Sequence, residues 1–302
     1  MTETGFIDFH VHLRGDEPVC RHDVAPISWA AQATDLVSPW VEPYVHHVAH
    51  HWRNRLSVMA YRAVSRIGFN AVLQLFERHR VNELLRGMDR LGVERSVINV
   101  IEPYFNTDDL RQVMLRHADR LSLFAGVDPS LPDAPARLAG YIAAGGVSGI
   151  KIHPALAGPD PTDDRMYELC QVAYAHDLPV QIHTGSFPFE AVRHDDDASL
   201  LRPVIQAFPT VTFVLAHIGW NQHRTVLELA HENANVHVES SWQPPKVVRQ
   251  AVDMLGVERV LFGSDYPLLQ QKPAIEVMKA ALTPAEAEMV MRRNALRLLK
   301  LE

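Results

Sequence analysis

Two histidines one residue apart, His10 and His12, close an apolar run that reads Gly-Phe-Ile-Asp-Phe-His-Val-His-Leu-Arg from Gly5 to Arg14. Side chains of a strand alternate between faces, so these imidazoles point the same way and could share a divalent metal. Arg14 follows two positions on if the strand persists. Alone the pair is a weak signal, because the chain holds 17 histidines. The remaining ligands have to come from downstream, and candidates stand at the ends of later apolar runs: Asn99 with nearby Glu102, Asp128, Lys151 with His153, His183, His217, Glu239 and Asp265. Polar groups ending nearly every run, behind Val, Ile, Leu and Phe, are what a site at the C-terminal ends of barrel strands requires.

The elements that must carry these groups follow a regular alternation from Val81 onward. Helical spacing predicts helices over 82–91, 107–117 (with Thr107 as a cap), 135–144, 163–176, 199–208, 225–231, 245–255 and, as one long amphipathic helix, 284–299. Between them, β-branched or apolar runs predict strands over 96–101, 121–127, 147–153, 180–183, 211–217, 236–239 and 259–265. With the opening run that makes eight strands separated by helices, the number that closes a (β/α)8 TIM barrel. The stretch 15–80 has another texture: scattered prolines, then helical spacing through Val45, Val48, Trp52, Leu56, Met59 and Val64. It reads as a helical cap inserted after the first strand of a single barrel spanning 1–302. His46, His47, His50 and His51 form i, i+4 pairs there, but no carboxylate or cysteine completes a second metal site.

The 302 residues, 47% hydrophobic and 22% charged, are those of a globular protein. A net charge of −7 offers no general affinity for nucleic acid or anionic membranes. No stretch is long and apolar enough to span a bilayer, and the acidic start lacks the plan of a secretory signal, so a cytoplasmic location is expected. Cys20 and Cys170 are too far apart for a Cys-x-x-Cys site and read as free thiols.

Phe9-His10-Val11-His12, Gly149-Ile150-Lys151-Ile152-His153-Pro154, Ile182-His183-Thr184-Gly185, Leu215-Ala216-His217-Ile218-Gly219 and Phe262-Gly263-Ser264-Asp265-Tyr266-Pro267 occur in the order and spacing of the amidohydrolase superfamily. The chain resembles its amidohydrolase-related branch, which includes aminocarboxymuconate-semialdehyde decarboxylase, resorcylate decarboxylase and pyrone-dicarboxylate lactonase. The resemblance implies a barrel enzyme in which His10, His12, His183 and Asp265 bind one divalent metal. Zinc is the default, and manganese, iron or cobalt also suit such ligands. It also implies metal-activated water, with Asp265 shuttling its proton and His217 polarising a carbonyl or acting as acid or base.

Three positions keep alternatives open. Lys151 stands where two-metal relatives carry a carboxylated bridging lysine; one metal is preferred, with Lys151 paired to an acidic neighbour or an anionic substrate. His153 lines the pocket or packs beneath the cap. Arg14 departs from the branch, and His-Val-His-Leu-Arg is similar to dihydroorotase, whose arginine holds a substrate carboxylate; the alternative is an ion pair with Asp16 or Glu17. Trp220 and Trp242 follow strand ends and could wall the pocket. The expected activity is metal-dependent hydrolysis of a small carboxylate-bearing amide, ester or lactone. Non-oxidative decarboxylation of an aromatic or enol acid is the runner-up, and a non-catalytic metal- or ligand-binding barrel the class-distinct alternative; the expected partner is a small anionic substrate, and a homodimer through the cap stays open.

Overall fold

The computed structural model describes residues 5–17, 76–77, 79–185 and 197–302. Most of the expected cap, with its four histidines, lies outside the described residues, as does Cys20. No helix among the described residues is long and apolar enough to cross a membrane.

Eight strands pair in parallel in chain order: β1 (Phe6–Val11), β2 (Val93–Asn99), β3 (Leu121–Ala125), β4 (Gly149–Ile152), β5 (Val180–Ile182), β6 (Phe213–Leu215), β7 (Val236–Glu239) and β8 (Val260–Leu261). Helices alternate with them: α1 (Val81–Leu91), α2 (Thr107–Arg116), α3 (Ala134–Ala143), α4 (Asp164–Ala175), α5 (Arg202–Ala207), α6 (His223–Glu232), α7 (Pro245–Leu255) and α8 (Gln271–Ala281). The seam between β8 and β1 is closed by Phe9 N–H donating to Phe262 O (2.9 Å), Asp265 N–H to His10 O (2.8 Å) and His12 N–H to Tyr266 O (2.6 Å). The fold is a (β/α)8 barrel, as the alternation predicts.

Strand alternation divides the apolar side chains into two clusters. Ile98, Leu121, Leu123, Ile150, Ile152, Val180, Ile182, Phe213, Leu215, Val236 and Val238 face the helical layer and join the main core. The residues between them fill the barrel: Ile7, Phe9, Val97, Phe124, Val214 and Leu261 form a separate cluster that Ala295 and Leu299 close from below. Phe9 and Phe124 meet edge to face at 5.3 Å. A side chain at 149 would strike the Phe124 ring, so glycine starts β4. Above this plug polar groups follow the strands, and in β1, whose register against β2 shifts between Asp8 and Val11, His10 and His12 join them at the upper rim.

Several boundaries differ from the sequence expectation for physical reasons. β2 begins at Val93, directly after the left-handed Gly92 that ends α1 (φ 72°). Its charged Glu94 and Arg95 disguise the strand, yet Arg95 is committed to the Ala118, Asp119 and Leu121 carbonyls. Helix α2 is capped by Asn106, whose side chain accepts from Asp109 N–H (3.0 Å); Thr107 instead donates to Gly126 O (2.7 Å). The expected single helix 284–299 is interrupted by a π-helical turn, Met289–Arg293. The interruption frees Val290 O to accept from Phe262 N–H (3.1 Å), extending support to a β8 only two residues long.

His237, on the barrel-facing side of β7, provides a test of the interior. Burial, then the Arg297 and Arg259 charges, pull its imidazole down to about 4. An unfolded histidine titrates near 6.5, so between these values the unfolded chain binds the extra proton and stability falls as pH falls. We expect this group to remove about 2–3 kcal/mol of stability between pH 6.5 and 4. His237→Leu should flatten the pH dependence of the unfolding free energy by that amount; parallel wild-type and variant curves would refute it.

Candidate functional site

Three donor atoms converge where the barrel seam opens at the rim. His10 Nε2 lies 3.2 Å from His12 Nε2, and Asp265 Oδ1 lies 3.5 Å from the first and 3.2 Å from the second. All three residues are buried. The outer ring nitrogens fix the tautomers: His12 Nδ1 meets the Asn99 carbonyl at 2.7 Å and His10 Nδ1 meets Glu239 Oε2 at 2.8 Å, so both Nδ1 atoms carry the proton. Burial, then the Lys151 charge, hold His10 well below its usual range, hence neutral. Two imidazole lone pairs and a carboxylate oxygen therefore face one another beside the Lys151 ammonium, 3.3 Å from His10 Nε2, an arrangement that attracts positive charge. This donor set fits a divalent metal ion.

Each donor is held by outer partners that the sequence does not announce. The His12 ring packs against Phe76 and Phe105. Asn99, which orients His12 through its carbonyl, is anchored by its own amide to the Phe9 and Val97 carbonyls. Asp265 has a left-handed backbone (φ 63°), which aspartate tolerates better than most residues; its Oδ2 accepts from Trp242 Nε1–H at 2.6 Å. Asp8 ties this turn to β1, accepting from Ser264 N–H (2.9 Å), Ser264 Oγ–H (2.6 Å) and Gln271 Nε2–H (2.8 Å). Burial raises its carboxyl to about 6 against these donors.

A second row faces the donors. His217 follows β6 in a run of left-handed residues, His217 (φ 61°), Ile218 (φ 43°), Gly219 (φ 72°) and Trp220 (φ 45°). Such backbone is costly for a β-branched residue. It is held by complete burial of Ile218 and by Gln243 Nε2, which donates to His217 O (2.6 Å) and Trp220 O (3.0 Å). The His217 ring stacks on His10 with centroids 5.0 Å apart, and its Nε2 faces His183 Nδ1 at 3.1 Å. Glu239 accepts from His10 Nδ1, from Ser241 N–H and Oγ–H, and from His217 N–H. Burial pushes its carboxyl up to about 8, but donors on both oxygens are the environment of an ionised carboxylate, and a proton on Oε2 would collide with theirs. A Cβ at Gly263 would run into this carboxylate.

Lys151 is buried at 3% exposure with Nζ 3.3 Å from His10 Nε2. Burial draws its ammonium down to about 8, while Asp265 and Glu239 favour the charge. His153 accepts from Leu156 N–H through Nδ1, capping the one-turn helix Pro154–Ala157, and stacks on His183 at 3.9 Å. With Lys151, Val100, Ile101, Val127 and Leu169, His153 lines a cleft; the inserted cap that it could pack beneath lies outside the described residues.

Other predicted positions fall elsewhere. His183 reaches His217 and His153 but is not among the three convergent donors. Arg14 pairs with Glu77 (3.0 Å) and donates to Glu17 O, rather than pairing with the Asp16 or Glu17 carboxylate. Trp220 packs near Trp242, ring centroids 5.9 Å apart. Glu102 and Asp128 follow strands outside the convergent donors: Glu102 lines the cleft with Lys151 and His153 and accepts from Thr107 N–H, Asp128 N–H and Tyr141 Oη–H, and Asp128 accepts from Ser130. Burial pushes the Cys170 thiol up to about 12, leaving it inert.

A family profile described as amidohydrolase matches residues 7–301. No curated protein sequence matches the chain. Among solved structures, 5-carboxyvanillate decarboxylase from Sphingomonas paucimobilis superposes with a TM-score of 0.66 at 15% identity, covering 99% of this chain and 100% of that one. The corresponding decarboxylase from Novosphingobium aromaticivorans, solved with manganese and 3-methoxy-4-hydroxy-5-nitrobenzoic acid, gives 0.63 at 17% identity over 82% and 94%. A probable 2-pyrone-4,6-dicarboxylic acid hydrolase from Acinetobacter baumannii, with citric acid bound, gives 0.63 at 13% identity over 98% and 99%. At these identities the likeness speaks for the fold.

Proposed function

The chain belongs to the amidohydrolase family, and from that premise we propose that it is a metal-dependent carboxy-lyase that releases carbon dioxide from a small aromatic or enol acid. The observation that carries this reading is the state of Asp265. Hydrolysis asks this carboxylate to take a proton from water, yet Oδ1 is turned to the two imidazoles and Oδ2 accepts from Trp242. Decarboxylation needs a seat for an anion and one proton carrier, and both are at hand. Two of the three structural relatives described above are named as decarboxylases of aromatic acids.

In this reading His10, His12 and Asp265 hold the divalent ion, with His183 as the further ligand that the sequence resemblance suggests. Zinc and manganese both suit these donors. When bound, the ion supplies positive charge that stabilises an anionic oxygen of the substrate. Lys151 pairs with the substrate carboxylate, a role for which a buried ammonium 3.3 Å from His10 Nε2 is suited. His217 carries the proton: the bond between the carbon and its carboxyl group breaks, the electron pair stays on that carbon, and the proton from His217 Nε2 takes its place as carbon dioxide leaves. His153 and Trp220 border the substrate. Arg14 reaches a second substrate anion only by exchanging Glu77.

The hydrolytic reading rests on the same donors and on the pyrone-dicarboxylic acid hydrolase likeness. The two separate in one assay of metal-loaded protein with hydroxybenzoates and with pyrone carboxylates. We expect carbon dioxide in equal amount to the acid consumed; ring opening without carbon dioxide would establish hydrolysis instead.

A further inference from the structure

One carboxylate touches both halves of the site. Glu239 Oε2 accepts directly from His10 Nδ1 at 2.8 Å, on the metal side. On the other side it lies 3.9 Å from His217 Nδ1, too far for a hydrogen bond. The Ser241 hydroxyl fills that gap, 2.9 Å from Glu239 Oε2 and 2.7 Å from His217 Nδ1. A hydroxyl has a single proton to give. Giving it to His217 would leave the Ser241 and Glu239 oxygens facing each other without a proton; giving it to Glu239 leaves Ser241 Oγ as an acceptor, so the imidazole proton must sit on Nδ1.

We propose that Ser241 is a positioning residue that relays the Glu239 carboxylate to His217, so that one buried carboxylate fixes the tautomers of the metal-side imidazole and the proton-carrying imidazole together. The proposal rests on the reading of His217 as proton carrier. With the proton on Nδ1, Nε2 is left with its lone pair toward the donor row, where it faces His183 Nδ1 at 3.1 Å. The surrounding backbone is shaped to hold this relay. Ser241 N–H binds Glu239 Oε1 at 2.5 Å, His217 N–H also points at Oε2 (3.3 Å), and only glycine at 263 leaves room for the carboxylate. Neither Ser241 nor Glu239 is exposed, at 2% and 0%.

The relay predicts that two substitutions split. Ser241→Ala removes the link to His217 alone, so metal affinity, measured by titration of the stripped protein with zinc, should stay within about twofold. Turnover should fall about 10–100-fold, carried by kcat with KM little changed. Glu239→Gln disturbs both imidazoles and should weaken zinc binding about 10–100-fold as well. Ser241→Thr keeps the hydroxyl and should restore turnover. The direct readout is nitrogen NMR of ring-labelled histidine in the zinc-loaded protein, with His217 signals assigned by their loss in His217→Gln. Wild type should show the Nδ1–H form, and Ser241→Ala a shift toward Nε2–H. Should Ser241→Ala not fold, Ser241→Cys, with its weaker thiol bridge, makes the same comparison. An unchanged His217 tautomer in the variant that removes the hydroxyl, or a loss of zinc equal to that of Glu239→Gln, overturns the relay. Absence of carbon dioxide release by wild type overturns the reaction reading while the tautomer result stands on its own.

Discussion

Replacing His12 by leucine is expected to empty the metal centre and, at the same time, to stabilise the metal-free chain. The first half follows from the donor count: with one imidazole gone, only His10 Nε2 and Asp265 Oδ1 remain of the three convergent atoms. Elemental analysis should find divalent metal falling from about one per chain to under about a tenth, with kcat/KM down at least about 1000-fold. The second half follows from the geometry without a cation. Three electron-rich atoms held at 3.2–3.5 Å repel one another in a buried setting, and leucine fills the ring's place between Phe76 and Phe105. After chelation, His12→Leu should therefore unfold at a temperature no lower than chelated wild type. Wild type alone should gain on adding metal, about 4 kcal/mol at a thousand-fold excess over Kd. A chelated variant markedly less stable than chelated wild type would mean that the cluster is a structural hydrogen-bond network, not a cation site.

The inward-facing residues explain why the barrel and half of the centre were legible in the sequence. Strand alternation is local: it sets His10 and His12 on one face, while the register shift of β1 between Asp8 and Val11, which brings that face above the Phe9, Val97, Phe124 and Val214 plug, is not written in the alternation. What holds those groups is not local. Glu239 meets His10 across 229 positions, and Asp8 meets Ser264 across 256; nothing in either neighbourhood announces the pairing. Trp242 looked like a pocket wall and is the hydrogen-bond donor that aims Asp265. Arg14 reads in the sequence as a holder of a substrate carboxylate, or else as an ion-pair partner of Asp16 or Glu17, and the fold brings Glu77 beside it instead. The helix 284–299 has unbroken amphipathic spacing, and its π-helical turn, where the Val290 carbonyl accepts from Phe262 N–H beyond β8, is a tertiary contact that spacing does not carry. Helix α8 (Gln271–Ala281) and Ser241 carry no local signal for the same reason, since their roles lie in what they touch.

His217→Asn should leave the metal in place and remove the reaction. Asparagine is among the few residues at ease in the left-handed backbone that position 217 adopts (φ 61°), so the strained run through Ile218 and Trp220, with its Gln243 bonds, has every reason to persist. The substitution lies outside the His10, His12, Asp265 donor group, and metal content should stay near one per chain. Burial, then the His183 and Lys151 charges, keep the wild-type imidazole well below its usual range and neutral at rest. An entering carboxylate opposes those positive charges and favours the protonated ring, which ties proton uptake to substrate binding. An amide cannot take that proton. We expect kcat to fall about 1000-fold, within the span of a lost general acid, with KM changed by less than about threefold because Lys151 still pairs with the substrate. Loss confined to KM would move His217 from proton carrier to substrate ligand, and the proton would then have to come from another titratable group beside the donors, such as Lys151, 3.3 Å from His10 Nε2.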